Sequence, residues 1–266
     1  MANQYNIYPL KHFAGIIADL MELELPDTYE KSIPWISNIL KDRLGGTADR
    51  AILYHADAVG MHIWQKYTSL FAPVYRHSQL SIPFLSTVPS LTPVAHASMY
   101  TGLDPEDHGI QAYVRPQLTC STLFDVLVEQ GKKVAMVVQT DSTFLHIFAG
   151  RQIDYFEYKN NFEIRAKVLE LIDQDQYDVI SIHTFDYDDA AHAYGPESKE
   201  GLNAVAFEAE TYALIAEALE KRKDQHRYLL TYSPDHGQHP TEGGQGTHGS
   251  EMCEDMNILH FFETIS

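Results

Sequence analysis

Six side chains suited to holding divalent cations fall just past apolar runs or in a glycine-rich loop: Asp57, Asp188, His192, Asp235, His236 and His248. Asp188 and His192, in DYDDAAH, are four apart, a separation that puts both on one face of a helical turn where they can share one metal. Asp186 and Asp189 compete for that role, and the stretch also reads as a solvated acidic loop. Asp235 and His236, in SPDHGQ, point apart unless the backbone turns, which Gly237 permits. His248 lies in GGQGTHG, a loop too rich in glycine to pack a core and therefore suited to function or flexibility. Thr92, in SLTPVAHASMYTG, precedes Pro93 and a run of small residues, the pattern of a helix N-cap with proline at the first helical position. A helix start offers free N–H groups and the positive end of the dipole to an anion, so Thr92 is either a simple cap or a phosphate-binding nucleophile. His96 falls inside that helix and reads as structural, whereas His55, His183 and His239 lie close enough in sequence to support the ligands.

The elements that must position these residues are short aliphatic runs alternating with longer helical stretches. The runs are AILYHA at 51–56, KVAMVV at 133–138, YDVISIH at 177–183, YLLTYS at 228–233 and NILHFF at 257–262. Such alternation predicts an α/β fold whose mainly parallel sheet is covered on both faces, with its site at the carboxyl ends of the strands. Asp57 follows the first run, Asp188 and His192 lie beyond the third, and Asp235 with His236 ends the fourth, where that rule places a site. Residues 9–44 read as helical, broken around Pro26 and Pro34, so residues 1–50 are expected to flank or cap a core spanning 51–266 within a single domain. No repeat or linker divides the chain.

Composition narrows the function classes. A chain of 266 residues, 44% hydrophobic, can bury a sizeable core. Its formal charge of −18 opposes binding to long nucleic acids and anionic membrane surfaces. Two isolated cysteines, Cys120 and Cys253, give no thiolate metal site and fit a reducing compartment. The start, MANQYNIYPLKHF, lacks a long apolar run after a basic cluster, so neither a secretory signal nor a membrane span is expected, and the reading is a soluble cytoplasmic protein. Oligomeric state is not readable from these features.

Taken in order, the motif segments resemble the alkaline phosphatase superfamily, and within it the nucleotide pyrophosphatase/phosphodiesterase branch. TPVAHASMYTGLDPEDHGI at 92–110 is similar to the nucleophile segment, and DAAHAYGPES at 189–198 to the GH-x-x-GP-x-S segment, with Ala191 in place of its glycine. PDHG at 234–237 is similar to the SDHG segment and GTHG at 246–249 to the last metal-binding loop. The likeness runs from about residue 51 to 262.

That resemblance implies a three-layer α/β/α sandwich and two divalent metal ions, zinc in the first instance with manganese as the alternative. Asp57, Asp235 and His236 would hold one, which also contacts Thr92, and Asp188, His192 and His248 the other; DAVG at 57–60 stands where the family has DG. It also implies hydrolysis of a small-molecule phosphoester through a phosphothreonine on Thr92. The branch usually carries an asparagine about twenty residues past the nucleophile, where this chain has Tyr113, a hydroxyl able to donate to the same phosphate oxygen. A diester or pyrophosphate bond is the first expectation, with monoester or phosphonate hydrolysis, or a noncatalytic metal- or anion-binding domain, as alternatives. Sulfatase chemistry is disfavoured because TPVAH lacks the Cys/Ser-x-Pro-x-Arg pattern.

Overall fold

The computed structural model describes residues 4–266. Its strands in chain order are β1 (Tyr8–Pro9), β2 (Arg50–Ala56), β3 (Leu80–Leu85), β4 (Val134–Gln139), β5 (Asp154–Tyr158), β6 (Val179–Thr184), β7 (Tyr228–Tyr232), β8 (His239–Pro240), β9 (Gly246–Thr247) and β10 (Asn257–Ile265). Eight of them form one sheet in the order β1-β3-β10-β7-β2-β6-β4-β5, while β8 and β9 pair as a separate ribbon. All neighbours in the sheet run parallel except β10, which is antiparallel to both β3 and β7. All five runs read from the sequence are strands. The additional β3 carries Pro83, which demotes a strand assignment, and β5 is a partly exposed edge strand, so neither shows as a long apolar run.

The helices are α1 (His12–Leu20), α2 (Pro34–Leu44), α3 (Met61–Lys66), α4 (Ala72–Arg76), α5 (Thr92–Thr101), α6 (Pro105–His108), α7 (Leu123–Glu129), α8 (Thr143–Ile147), α9 (Asn161–Gln174), α10 (Asp186–Tyr194), α11 (Lys199–Glu220) and α12 (Cys253–Met256). Because side chains alternate along a strand, each central strand feeds two cores. In β2, Ala51 and Leu53 join the core beneath α1, α2, α5 and α7, whereas Ile52, Tyr54 and Ala56 join the one beneath α9 and α11. The result is the three-layer α/β/α sandwich. Residues before 50 do more than flank it: Phe13, Ile16 and Ile17 of α1 are fully buried, each such side chain contributing about 1.5–3 kcal/mol, and β1 pairs with β3. No helix among the described residues is long and apolar enough to cross a membrane.

Three adjacent strands at the centre of the sheet, β7, β2 and β6, end together. Asp57 follows β2 directly, α10 starts two residues after β6, and Asp235 and His236 follow β7, so one strand edge gathers three of the motif segments.

Candidate active site

Asp57, Asp235 and His236 form a buried donor group whose ligand atoms all lie within 4.8 Å of one another. The Asp235 carboxylate is aimed by two backbone N–H groups: its Oδ1 accepts from Ala58 at 3.1 Å and from His236 at 2.9 Å. The Nδ1 of His236 lies 3.1 Å from the Gly237 carbonyl oxygen, which can only accept, so that nitrogen carries the proton and Nε2 presents its lone pair. That Nε2 is 3.4 Å from Asp57 Oδ1 and 3.4 Å from Asp235 Oδ2. Thr92 completes the group, with Oγ1 3.2 Å from His236 Nε2 and 3.3 Å from Asp57 Oδ2. The sequence places Thr92 at the N-cap; in the structure Leu91 occupies that position and Thr92 opens α5. Its hydroxyl makes no cap bond and turns to the donor group instead, which removes the simple-cap reading.

Asp188, His192 and His248 form a second group with the same spacing. Asp188 and His192 stand one turn apart on α10, 3.4 Å from Oδ1 to Nε2, as their separation in sequence requires. Here again backbone carbonyls fix the rings: His192 Nδ1 donates to Gly246 at 3.0 Å and His248 Nδ1 to Ser90 at 2.9 Å. Both Nε2 lone pairs then face each other at 3.1 Å beside Asp188 Oδ1. Two imidazole lone pairs converging, with no proton between the rings, beside a carboxylate oxygen that Gln238 Nε2 holds in place are the arrangement that a bound divalent cation satisfies. The two groups adjoin, since the rings of His236 and His248 stack at 4.1 Å.

Burial moves the carboxyls of Asp57, Asp188 and Asp235 and the imidazoles of His236 and His248 toward their neutral forms. The Asp57 carboxyl is held well above the usual carboxylate range by burial and then by the nearby Asp235, and Asp188 by burial and then by Asp57. Asp235 is raised by burial as well, and burial pushes both His236 and His248 down to about 3. Bound cations would offset the cost that burial and mutual repulsion place on ionising these carboxyls.

Beside Thr92 opens a small cleft of about 110 Å³, lined by Tyr113, Arg115, Ser142 and Thr143 opposite Asp57 and Asp188. Tyr113 is one wall of this cleft, its hydroxyl 3.4 Å from Thr143 Oγ1. Arg115 also lines the cleft, a placement that sequence reasoning missed. Its only signal is the YVRP stretch that carries Tyr113. Arg50, Arg151, Arg222 and Arg227 are ion-paired, whereas Arg115 has no such partner among the described residues and faces the cleft.

The competing carboxylates separate: Asp186 accepts from Gln139 Nε2 at 2.8 Å, and Asp189 lines the cleft. His55 bonds to Tyr100 and Ser233, and His239 to Asp255, so both brace the site without entering it. Gly237 does not take a left-handed turn. It is needed for close approach, because a Cβ there would meet the Glu254 carbonyl oxygen at 2.0 Å and Gly60 Cα at 2.7 Å. Gly237→Ala is therefore expected to lower stability by about 1–3 kcal/mol and to displace His236. Chemical denaturation together with metal titration checks this; unchanged values in both would show that the backbone yields without cost.

Relatives share this architecture. Over 192 residues the chain is 25% identical to an uncharacterised pyrophosphatase/phosphodiesterase of Schizosaccharomyces pombe, a match covering 60% of this chain and 39% of that protein. Phosphonoacetate hydrolase from Sinorhizobium meliloti 1021 superposes with a TM-score of 0.56 at 17% identity, over 74% of this chain and 59% of that one. Murine ectonucleotide pyrophosphatase/phosphodiesterase 5 gives 0.56 at 15% identity, over 73% and 59%. The C-terminal periplasmic domain of the phosphoethanolamine transferase EptC from Campylobacter jejuni gives 0.59 at 15% identity, over 82% and 80%. These structural likenesses show a common fold, and the chain spans less than two thirds of the length of the yeast relative and of the phosphonoacetate hydrolase. The family model described as type I phosphodiesterase / nucleotide pyrophosphatase matches residues 61–264, beginning just past Asp57, and the chain belongs to that family, within the alkaline phosphatase superfamily.

Proposed function

We propose that the chain is a two-metal phosphoesterase that cleaves a small-molecule phosphodiester or pyrophosphate bond through a phosphothreonine on Thr92. The observation that carries this reading is the hydroxyl of Thr92, released from capping and set 3.2–3.3 Å from His236 and Asp57, beside a second group of three donors. Asp57, Asp235 and His236 would hold one cation and Asp188, His192 and His248 the other. Mixed imidazole and carboxylate donors suit zinc, with manganese as the alternative. When bound, the cations supply positive charge that favours the ionised hydroxyl and offsets charge on the phosphoryl oxygens.

The chain's own residues supply the rest. Thr92 Oγ, its proton lost to solvent, attacks phosphorus in line; the Oγ–P bond forms as the bond to the leaving oxygen breaks, that oxygen takes a proton from solvent, and water then cleaves the phosphothreonine, restoring the Thr92 hydroxyl and releasing the phosphoryl group. At the start of α5 Pro93 has no N–H and those of Val94 and Ala95 already donate to the Leu91 carbonyl oxygen, which leaves the Thr92 N–H for the same oxygens. Tyr113 donates its O–H to a nonbridging oxygen, and Arg115 offers a guanidinium to an anionic group in the cleft. At about 110 Å³ the cleft encloses a phosphoryl group and little more, so the substituents of the substrate extend outside it.

The test is hydrolysis of bis(4-nitrophenyl) phosphate against 4-nitrophenyl phosphate by zinc- or manganese-loaded protein. A preference for the diester is expected, with Tyr113→Phe costing about tenfold in kcat/KM, the scale of one hydrogen bond to a charged group. Preference for the monoester would move the function to a phosphatase. A protein with two metals bound and no activity on either ester would identify a noncatalytic binding domain.

A further inference from the structure

Behind the first donor group lie two buried imidazoles that the proposed reaction does not use. His96 stands on α5 one turn past Thr92, is wholly inaccessible to solvent, and has no hydrogen-bond partner at either ring nitrogen. Its ring is caged by Phe144, His183 and His55 at centroid distances of 4.7, 5.0 and 5.2 Å. Burying an unpartnered imidazole destabilises a fold, and a phenyl ring would fill the same cage without that cost, so packing alone does not account for a histidine here. What does face it is a ligand: His96 Nε2 is 3.4 Å from Asp235 Oδ2, and that oxygen also lacks a hydrogen bond.

The arrangement recurs on the other carboxylate. His183 Nδ1 is 3.0 Å from Ser142 Oγ, and its Nε2, which has no hydrogen-bond partner, is 3.2 Å from Asp57 Oδ2. A hydroxyl donating to Nδ1 leaves the proton on Nε2, directed at Asp57. Both carboxylates of the first group therefore have a buried imidazole beside them, His96 behind Asp235 and His183 at the wall of the cleft beside Asp57, near enough for a small ring rotation to complete a hydrogen bond.

We propose that His96 and His183 are positioning residues that donate Nε2–H to Asp235 and Asp57, fixing the angle at which the two carboxylates meet a cation. Groups that hydrogen-bond to ligating side chains set ligand orientation, and their loss weakens metal binding by about 10- to 100-fold. The inference rests on the proposed function only in requiring that the first group hold a cation, and it concerns affinity and not turnover.

The experiment compares wild type, His96→Phe and His96→Gln in two measurements: zinc affinity by competition with a chromogenic chelator, and thermal unfolding in EDTA. His96→Phe is expected to weaken one of two zinc-binding steps by about 10- to 100-fold while leaving the melting temperature in EDTA unchanged or raised. His96→Gln, whose amide reaches the same oxygen, should recover most of the affinity. Should the phenyl ring prove too large to fold, His96→Leu carries the same expectation. Undiminished zinc affinity in a folded His96→Phe or His96→Leu protein overturns the inference. So does a fall in the EDTA melting temperature with glutamine failing to rescue affinity, which would mark a structural role. If wild type itself binds no zinc, the proposed function fails first, and with it the ground on which this inference stands.

Discussion

A Thr92→Ala protein is expected to keep both metals and lose turnover of bis(4-nitrophenyl) phosphate by about 10⁴-fold or more, the scale on which removal of a nucleophile acts. The geometry makes this a clean substitution. Thr92 Oγ1 makes no helix-capping bond, so the loss of about 0.5–2 kcal/mol that follows removal of a cap does not apply, and α5 keeps Pro93 in its first turn. Among the described residues the hydroxyl hydrogen-bonds only with Asp57 and His236, and both keep their own anchors, the Asp57 N–H on the Thr184 carbonyl oxygen and His236 Nδ1 on Gly237. Elemental analysis should give the same metal content as wild type, and denaturation the same stability within about 0.5 kcal/mol. Thr92→Ser, which restores the nucleophile and omits one methyl group, should recover activity to within about tenfold of wild type. Near-normal turnover in the alanine protein would take the covalent step away from Thr92 and leave direct attack by water as the route.

How much of this could be read in advance depended on what each element buries. The central strands β2, β4, β6 and β7 are covered on both faces, so they stand out as unbroken apolar runs. The antiparallel setting of β10 leaves no such trace, because strand direction depends on the long connection around the ribbon and α12 and not on the residues of NILHFF. The six donors were legible for a physical reason: polar residues immediately after buried runs, or among glycines, have no packing role to explain them. His96 was not. It sits in a helix all of whose residues are buried, and sequence offers no means of distinguishing a packed imidazole from one aimed at a carboxylate. Arg115 lies in a stretch without helix or strand, so no periodicity could aim it at the cleft. The role of Gly237 was right in residue and wrong in cause, since close approach of Glu254 is a tertiary fact.

Metal removal is expected to cost more stability as pH rises, and the signs follow from burial. In the metal-free protein Asp57, Asp188 and Asp235 have pKa values raised above their ordinary 3.8, so the stability they contribute is present below about that pH and lost as pH rises through the raised values. His236 and His248, lowered from 6.5 to about 3, act in the opposite sense: their contribution is present above 6.5 and lost as pH falls toward 3. Near neutral pH the imidazoles of His236 and His248 are already in the form that binds a cation, while burial opposes ionisation of the carboxyls that must ionise to bind one. Zinc binding should therefore release protons and tighten with pH. With free zinc about a thousandfold above its dissociation constant the stabilisation reaches about 4 kcal/mol, roughly 10 °C in melting temperature for a chain of this size. The gap between zinc-loaded and EDTA-treated protein should thus be near that value at pH 8 and shrink toward zero by pH 5. Titration calorimetry in two buffers of different ionisation enthalpy counts the protons directly. A gap that stays constant across this range, with no protons released, would mean that the three carboxylates are already ionised before any metal arrives, and that the buried cluster is solvated in a way its closed geometry does not suggest.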